Sequence, residues 1–236
     1  LLSDWKQEKT SPGIWSAALN FIPSQIEIDG KFIELAHYPN RPRIWAKGRS
    51  SLSGQLNAAL PNSDIAGANL VWRAADWLIM TRTVLRSDGQ IIYLADSEDT
   101  EFGLLPETDF YLEGKRWMLD TPGEWAYADG RLYVWPPDKK SPEGRIWVAT
   151  RARAINASHS RNVRIENIKI TGATLGIDAT GSYDMVIRKI EIRNSDEEAI
   201  LVGGLGMRIK NIVIIGSVKN GIRASDDARN VEIIDS

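Results

Sequence analysis

Val163-Arg-Ile-Glu-Asn-Ile-Lys-Ile-Thr-Gly172, followed by Gly176-Ile-Asp-Ala179, is the stretch that decides the fold. Apolar and polar residues alternate over short runs, and alternation at period two turns one face of a strand inward. The runs are broken by Asn, Gly, Ser and Asp, residues that make turns. The pattern then returns every 22 residues. Ile146, Ile168, Ile190, Ile212 and Ile234 form one column; Val148, Ile170, Ile192 and Ile214 form a second; Ile165, Ile187, Ile209 and Val231 form a third. A fourth column, Ile155, Ile177, Ile200 and Ile222, advances by 22, 23 and 22 residues. Such a unit, filled by short strands, has no room for a helix of about ten residues, and the Leu-x-x-Leu-x-Leu scaffold of a leucine-rich repeat is missing. The sequence therefore predicts an all-β chain whose later part is a right-handed parallel β-helix. Its coils stack ~4.8 Å apart, so that Ile lies on Ile along the axis.

Asn167, Lys189 and Asn211 fall together at one corner of this repeat. Asn tolerates the left-handed backbone that a tight corner demands, and Lys189 interrupts the Asn column. The extra residue between Ile177 and Ile200 is assigned to the Arg193–Glu198 loop. Loops that vary between coils are where solenoids carry function. The last repeat stops at Asn230–Ser236, and an open solenoid end exposes strand edges and an apolar cross-section. The expectation is that further chain, or a second subunit, covers Ile212, Ile214 and Ile222.

The composition shifts at Gly144. Residues 1–144 are rich in Trp, Pro and turn signals; residues 145–236 are rich in Ile, Val, Gly and Asn. This predicts an N-terminal β region docking on the solenoid, with the boundary at 144/145. Two hairpins are legible in the first part. One is Gln25–Ile28, Asp29-Gly30, Lys31–Leu35; the other is Trp125–Ala128, Asp129-Gly130, Arg131–Trp135, and both carry the Asp-Gly of a type I′ turn. Further strands are expected at Leu70–Trp72, Trp77–Val84 and Ile91–Ala95, with a turn at Ser87-Asp88-Gly89.

Of the 236 residues none is Cys and only two are His, so disulfides, zinc fingers, iron–sulfur sites, thiol nucleophiles and multi-His metal sites are excluded. The net charge of −2 gives no basic footprint for nucleic acid. No apolar run reaches the ~20 residues of a membrane helix.

Two phrases of the first part resemble a known group. Ile26-Glu-Ile-Asp-Gly-Lys31 with Leu35-Ala-His-Tyr-Pro-Asn40 is similar to the opening of bacterial pectin-lyase-like right-handed β-helix proteins. Leu119-Asp-Thr-Pro-Gly-Glu-Trp125 with Leu132-Tyr-Val-Trp-Pro-Pro137 is similar to the segment that leads into their solenoid. His37 stands where those proteins usually have Arg, and Gly114 where Asn is usual. The resemblance implies a carbohydrate-active enzyme, a glycoside hydrolase or polysaccharide lyase, secreted or periplasmic, acting on a polysaccharide or oligosaccharide. It implies no cofactor, with calcium an option for a lyase. The Asp120–Trp125 motif itself is expected to be a tight structural turn.

Glycoside hydrolysis needs two carboxyl groups, ~5.5 Å apart for retention or ~6.5–9.5 Å for inversion. The coil register gathers candidates on one face: Asp178, Asp196, Glu198 and Arg223 as catalytic groups, with Lys219 and Asp226 as substrate-binding groups. A lyase would use Lys219 or Arg223 as base. Trp45, in the basic stretch Arg41–Arg49, is the expected exposed sugar platform, whereas Trp72, Trp77 and Trp125 are expected in the core. His159 is expected at a surface corner, and Gly203-Gly-Leu-Gly206 in a turn between coils. A non-catalytic polysaccharide-binding or surface β-helix, or a structural stub whose catalytic coils lie elsewhere, fits the same residues.

Overall fold

The computed structural model describes residues 2–40, 45–52, 54–76, 78–96 and 103–236. Strand is the dominant regular structure; one short 3-10 turn, Arg116–Met118, is the helical element among the described residues. None of it is long and apolar enough to cross a membrane as a helix. The chain divides into two compact units. One comprises Leu1–Ile22 and Ile33–Arg145, the other Pro23–Phe32 and Ile146–Ser236. The second unit thus begins at Ile146 and also takes in Pro23–Phe32, a segment that composition alone places in the first part.

In the first unit, Trp15–Ala18, Arg131–Trp135 and Glu124–Ala128 form antiparallel neighbours, and Lys31–Leu35 runs parallel to Glu124–Ala128. A second sheet, from Ala46–Leu52 through Gln55–Asn57, Ile91–Leu94, Leu78–Asp88 and Asn69–Ala75, returns to Glu107–Glu113 and closes on itself. Trp72, Phe110, Leu56, Leu70, Ile92 and Leu112 fill its interior. Trp72 and Trp125 are buried as expected; Trp77 lies outside the described residues.

Both Asp-Gly hairpin turns form. Asp29 and Gly30 have φ of 51° and 72°, and Asp129 and Gly130 have 51° and 71°, the left-handed pair that a type I′ turn requires. At the third turn the Leu78–Asp88 strand runs on through Ser87 and Asp88, and Gly89-Gln90 makes the reversal. Only Gly89 of this pair needs positive φ, at 58°.

The two motif phrases of the first unit meet. Asn40 Nδ2 donates to Asp120 Oδ1 at 2.8 Å, the Ala36 N–H donates to the Trp125 carbonyl at 2.7 Å, and His37 Nδ1 lies 3.1 Å from Glu124 Oε1. His37 and Glu124 are both buried. The hydrogen bond to Glu124 holds the imidazole pKa above its ordinary value against the opposing effect of burial.

The second unit is a parallel β-solenoid of about four turns. Ile165 stacks on Ile187 and Ile187 on Ile209; Ile170, Ile192 and Ile214 form the next column, and Ile177, Ile200 and Ile222 the third. Four members of the sequence columns, Ile146, Val148, Val231 and Ile234, fall elsewhere. Ile146 and Val148 pair antiparallel with Ile28 and Ile26 rather than joining the solenoid ladder. In the last coil, Ile233 pairs with Ile209 and Val231 with Met207, a shift of two residues from strict 22-residue spacing. Ile212 is buried within the chain itself, and Ile214 and Ile222 are half-buried.

Corners hold the coil. Asn167, Lys189, Asn211 and Asp235 occupy one column with φ of 59°, 52°, 55° and 50°. Asn162, Asp184, Gly206 and Asn230 occupy a second, at 57°, 52°, 76° and 52°. Lys is the costly member, because its Cβ crowds the following carbonyl in this conformation. Gly203-Gly-Leu-Gly206 bends the chain at the second corner inside the long Ile200–Ile215 strand, with Gly204 at φ 95° and Gly206 at 76°, and a Cβ on Gly204 would collide with the backbone of Ser182.

Lys189→Asn is expected to stabilise the chain by roughly 0.5–1 kcal/mol through relief of this backbone cost, read by chemical denaturation. A second expectation concerns pH. A histidine whose folded pKa is raised adds stability that is fully present below its unfolded pKa of about 6.5 and is lost as pH rises through the folded value. Wild type should therefore exceed His37→Asn in melting temperature by more at pH 5.5 than at pH 9, and an equal difference at the two pH values would contradict the pairing.

Candidate functional site

The predicted face is built by four stacked strands, Arg153–Asn156, Leu175–Tyr183, the start of Ile200–Ile215, and Ile222–Ala224. Their outward positions Asn156, Asp178, Leu201 and Arg223 lie in register. Asp178 points outward as expected but is only 4% exposed. Its Oδ1 accepts from the Thr180 N–H at 3.1 Å and the Thr180 hydroxyl at 2.7 Å, and its Oδ2 lies 2.8 Å from Arg153 Nε. One coil earlier, Asn156 Oδ1 accepts from the Ser158 N–H at 3.1 Å and the Ser158 hydroxyl at 2.7 Å. The two turns are the same device repeated, so the geometry gives Asp178 a structural role, that of ending a strand at a solenoid corner.

Glu198 is likewise 4% exposed, and its Oε1 lies 3.3 Å from Arg223 Nη1. Lys219 Nζ reaches Glu197 Oε1 at 2.8 Å. Asp196 accepts from the side-chain amide of Gln25. Asp226 is exposed, and its backbone carbonyl accepts from Arg229 Nη1 at 2.7 Å. The structure thus brings Glu198 and Arg223 together, and gives Asp178, Asp196 and Glu198 three different partners rather than a shared one. The 23-residue step falls where the sequence places it, between Ser195 and Ile200. His159 sits at a corner with φ of 55° and packs over Gly181, as a turn residue.

Among the described residues no group of three or more His, Cys, Asp or Glu side chains is gathered that could hold a metal ion.

A different face of the solenoid carries charge ladders between coils. Glu166 pairs with Arg188, and Glu191 with Lys169 at 3.0 Å and Arg193 at 2.6 Å. The Arg188 guanidinium holds the Glu166 pKa below the usual carboxylate range, and Arg193 with Lys169 does the same for Glu191. Glu166–Arg188 and Lys169–Glu191 link neighbouring coils and favour the observed register, whereas Arg193 lies two residues from Glu191 on the same strand; each such surface pair is worth little.

Trp45 is not the exposed aromatic. It is half-buried with its ring 5.3 Å from that of Tyr111, which in turn lies edge-on to His37. Among the described residues the exposed tryptophan is Trp147, at 69%. The signal was in the sequence: in Ile146-Trp147-Val148, period-two alternation with both neighbours inward leaves Trp147 outward. It lines a cavity of about 380 Å³ together with Gln25, Glu27, Ala149, Thr171 and Gly172. Gln25 and Glu27 could not be assigned there from sequence, because they arrive from more than 100 residues away in the chain.

The sequence matches no protein-family model and no curated protein. The fold resembles a solved structure titled glycoside hydrolase, with a TM-score of 0.62 at 11% identity, over 90% of this chain and 52% of that one. The chain therefore spans about half the length of that structure.

Asp178→Asn is expected to stay within about 1 kcal/mol of wild type, because an amide oxygen already makes the same turn at Asn156. Asp178→Ala, which strips the turn and leaves its donors unpaired, should cost about 1–3 kcal/mol. Urea unfolding of the two variants checks the order.

Proposed function

We propose that the chain belongs to a carbohydrate-active protein that hydrolyses glycosidic bonds in a polysaccharide or oligosaccharide. The observation that carries this is the fold it shares with a glycoside hydrolase along 90% of its length. Within the chain, the loop at Asp196–Glu198 supplies the acid groups the chemistry needs. Glu198 is the reacting carboxylate, held by the Arg223 guanidinium with Nη1 3.3 Å from its Oε1. Asp196, two residues away, is the second carboxyl group.

Elimination by a lyase is less well supported, since Lys219 and Arg223, its candidate bases, are each engaged by a glutamate. Binding without cleavage is the second reading. It is favoured by the fact that every predicted catalytic carboxylate of the solenoid already has a partner in the chain. A polymeric substrate goes with action in the periplasm or outside the cell.

The test is incubation with a panel of neutral and acidic polysaccharides. New reducing ends without absorbance at about 235 nm are expected, and Glu198→Gln should lower their rate by roughly 10²–10⁴-fold while the unfolding midpoint stays near wild type. Absorbance at that wavelength would assign elimination instead. Retention on a polymer without product would assign binding, and neither product nor retention would overturn the carbohydrate reading.

A further inference from the structure

The cavity beside Trp147 lies wholly within the second unit, and neither Glu198 nor Asp196 is among the residues that line it. Glu27 is the direct cross-strand partner of Trp147 in an antiparallel pair, so both side chains leave the same face. Asn194 Nδ2 donates to Glu27 Oε1 at 2.8 Å, which fixes the carboxylate and leaves its second oxygen able to accept. Gln25 is only 1% exposed; its amide nitrogen donates to Asp196, and its buried Oε1 has no hydrogen-bond partner. A buried acceptor left unmade costs free energy unless something supplies a donor. Gly172, at φ of 63°, keeps the floor beside Gln25 Oε1 free of side chain; a Cβ there would sit 4.0 Å from that oxygen. Thr171, exposed at the rim, adds a hydroxyl.

From these groups we infer that the cavity beside Trp147 is a saccharide subsite that takes a neutral sugar residue and rejects a uronic acid. The inference rests on the carbohydrate reading and adds the substrate class. An indole presents a flat apolar face with a polar edge, the shape that packs on the C–H face of a pyranose ring. Around that platform the accessible acceptor is Glu27, with Gln25 Oε1 just beneath the floor and the Thr171 hydroxyl able to serve either way, which suits ligand hydroxyls that donate. No lysine or arginine is among the residues that line the cavity. A uronate placed on Trp147 would set its carboxylate against Glu27, and Arg193, in register with Thr171, is already engaged by Glu191. The Gln25 amide also connects the cavity to Asp196, so a sugar held here lies next to the proposed reacting loop.

The test is affinity electrophoresis of the intact chain through gels containing β-glucan, mannan or xylan, and through gels containing polygalacturonate or alginate. Wild type should be retarded by at least one neutral polymer and by neither uronate. Trp147→Ala should weaken that retardation by about tenfold or more with an unchanged unfolding midpoint, since the side chain is largely in solvent. Glu27→Gln should keep neutral binding and admit the uronates. Equal binding by wild type and Trp147→Ala, or a wild-type preference for uronates, overturns the subsite. If cleavage persists while Trp147→Ala binds normally, the subsite falls and hydrolysis stands. If binding depends on Trp147 and nothing is cleaved, the subsite stands and hydrolysis falls. Absence of both binding and cleavage removes both.

Discussion

The left-handed corner is the constraint on which the solenoid depends. A parallel coil must turn sharply at fixed points, and each turn needs a residue with positive φ. Once one coil places Asn162 and Asn167 there, the next must place Asp184 and Lys189 at the same heights, and the next Gly206 and Asn211. Only then do the intervening strands keep their ladder hydrogen bonds and their pleat in phase. A slip of one residue would send every Ile of a strand to solvent. The last coil shows how firmly the corners govern. It spends two more residues than its predecessors, and the corners Asn230 and Asp235 advance together with the strand between them, so that Ile233 rather than Val231 pairs with Ile209.

The first unit is held by a different interaction, the meeting of two distant phrases. Leu35–Asn40 and Leu119–Trp125 read as separate motifs along the chain, but in space Asn40 binds Asp120 and His37 binds Glu124. Glu124 leaves the water only because it has a partner, and the partner is the His37 imidazole. An imidazole offers Glu124 one nitrogen where a guanidinium fork would offer several, and the unpaired Glu124 Oε2 and His37 Nε2 mark the difference. The fold keeps the contact while its charge becomes dependent on pH.

The charged groups near the varied loop show how a solenoid absorbs polarity. Strand alternation puts Asp178 and Arg223 outward, and stacking at ~4.8 Å then places a neighbour within reach of each. Arg153 covers Asp178, and Arg223 covers Glu198. An outward position is therefore not the same as an accessible one. Trp147 is the opposite case: it lies on a strand paired at one side of the unit, with no coil laid over it, and it remains in solvent beside a polar-floored cavity.

By itself the sequence determined the class of the fold, the 22-residue repeat, its buried Ile columns, the Asp-Gly hairpins and the loop that carries the extra residue. All of these follow from local periodicity and turn chemistry, which a linear string displays. It also contained, unread, the outward position of Trp147. What tertiary structure decided is which side chains meet. The Asx turn that claims Asp178 was written in Asp178-Ala-Thr180, but Arg153 comes from another coil, Gln25 and Glu27 come from the far end of the chain, and Asn40 finds Asp120 across 80 residues. Such pairings are set by how strands are laid against one another, a long-range choice made by burial and backbone hydrogen bonding rather than by any one segment's own preference.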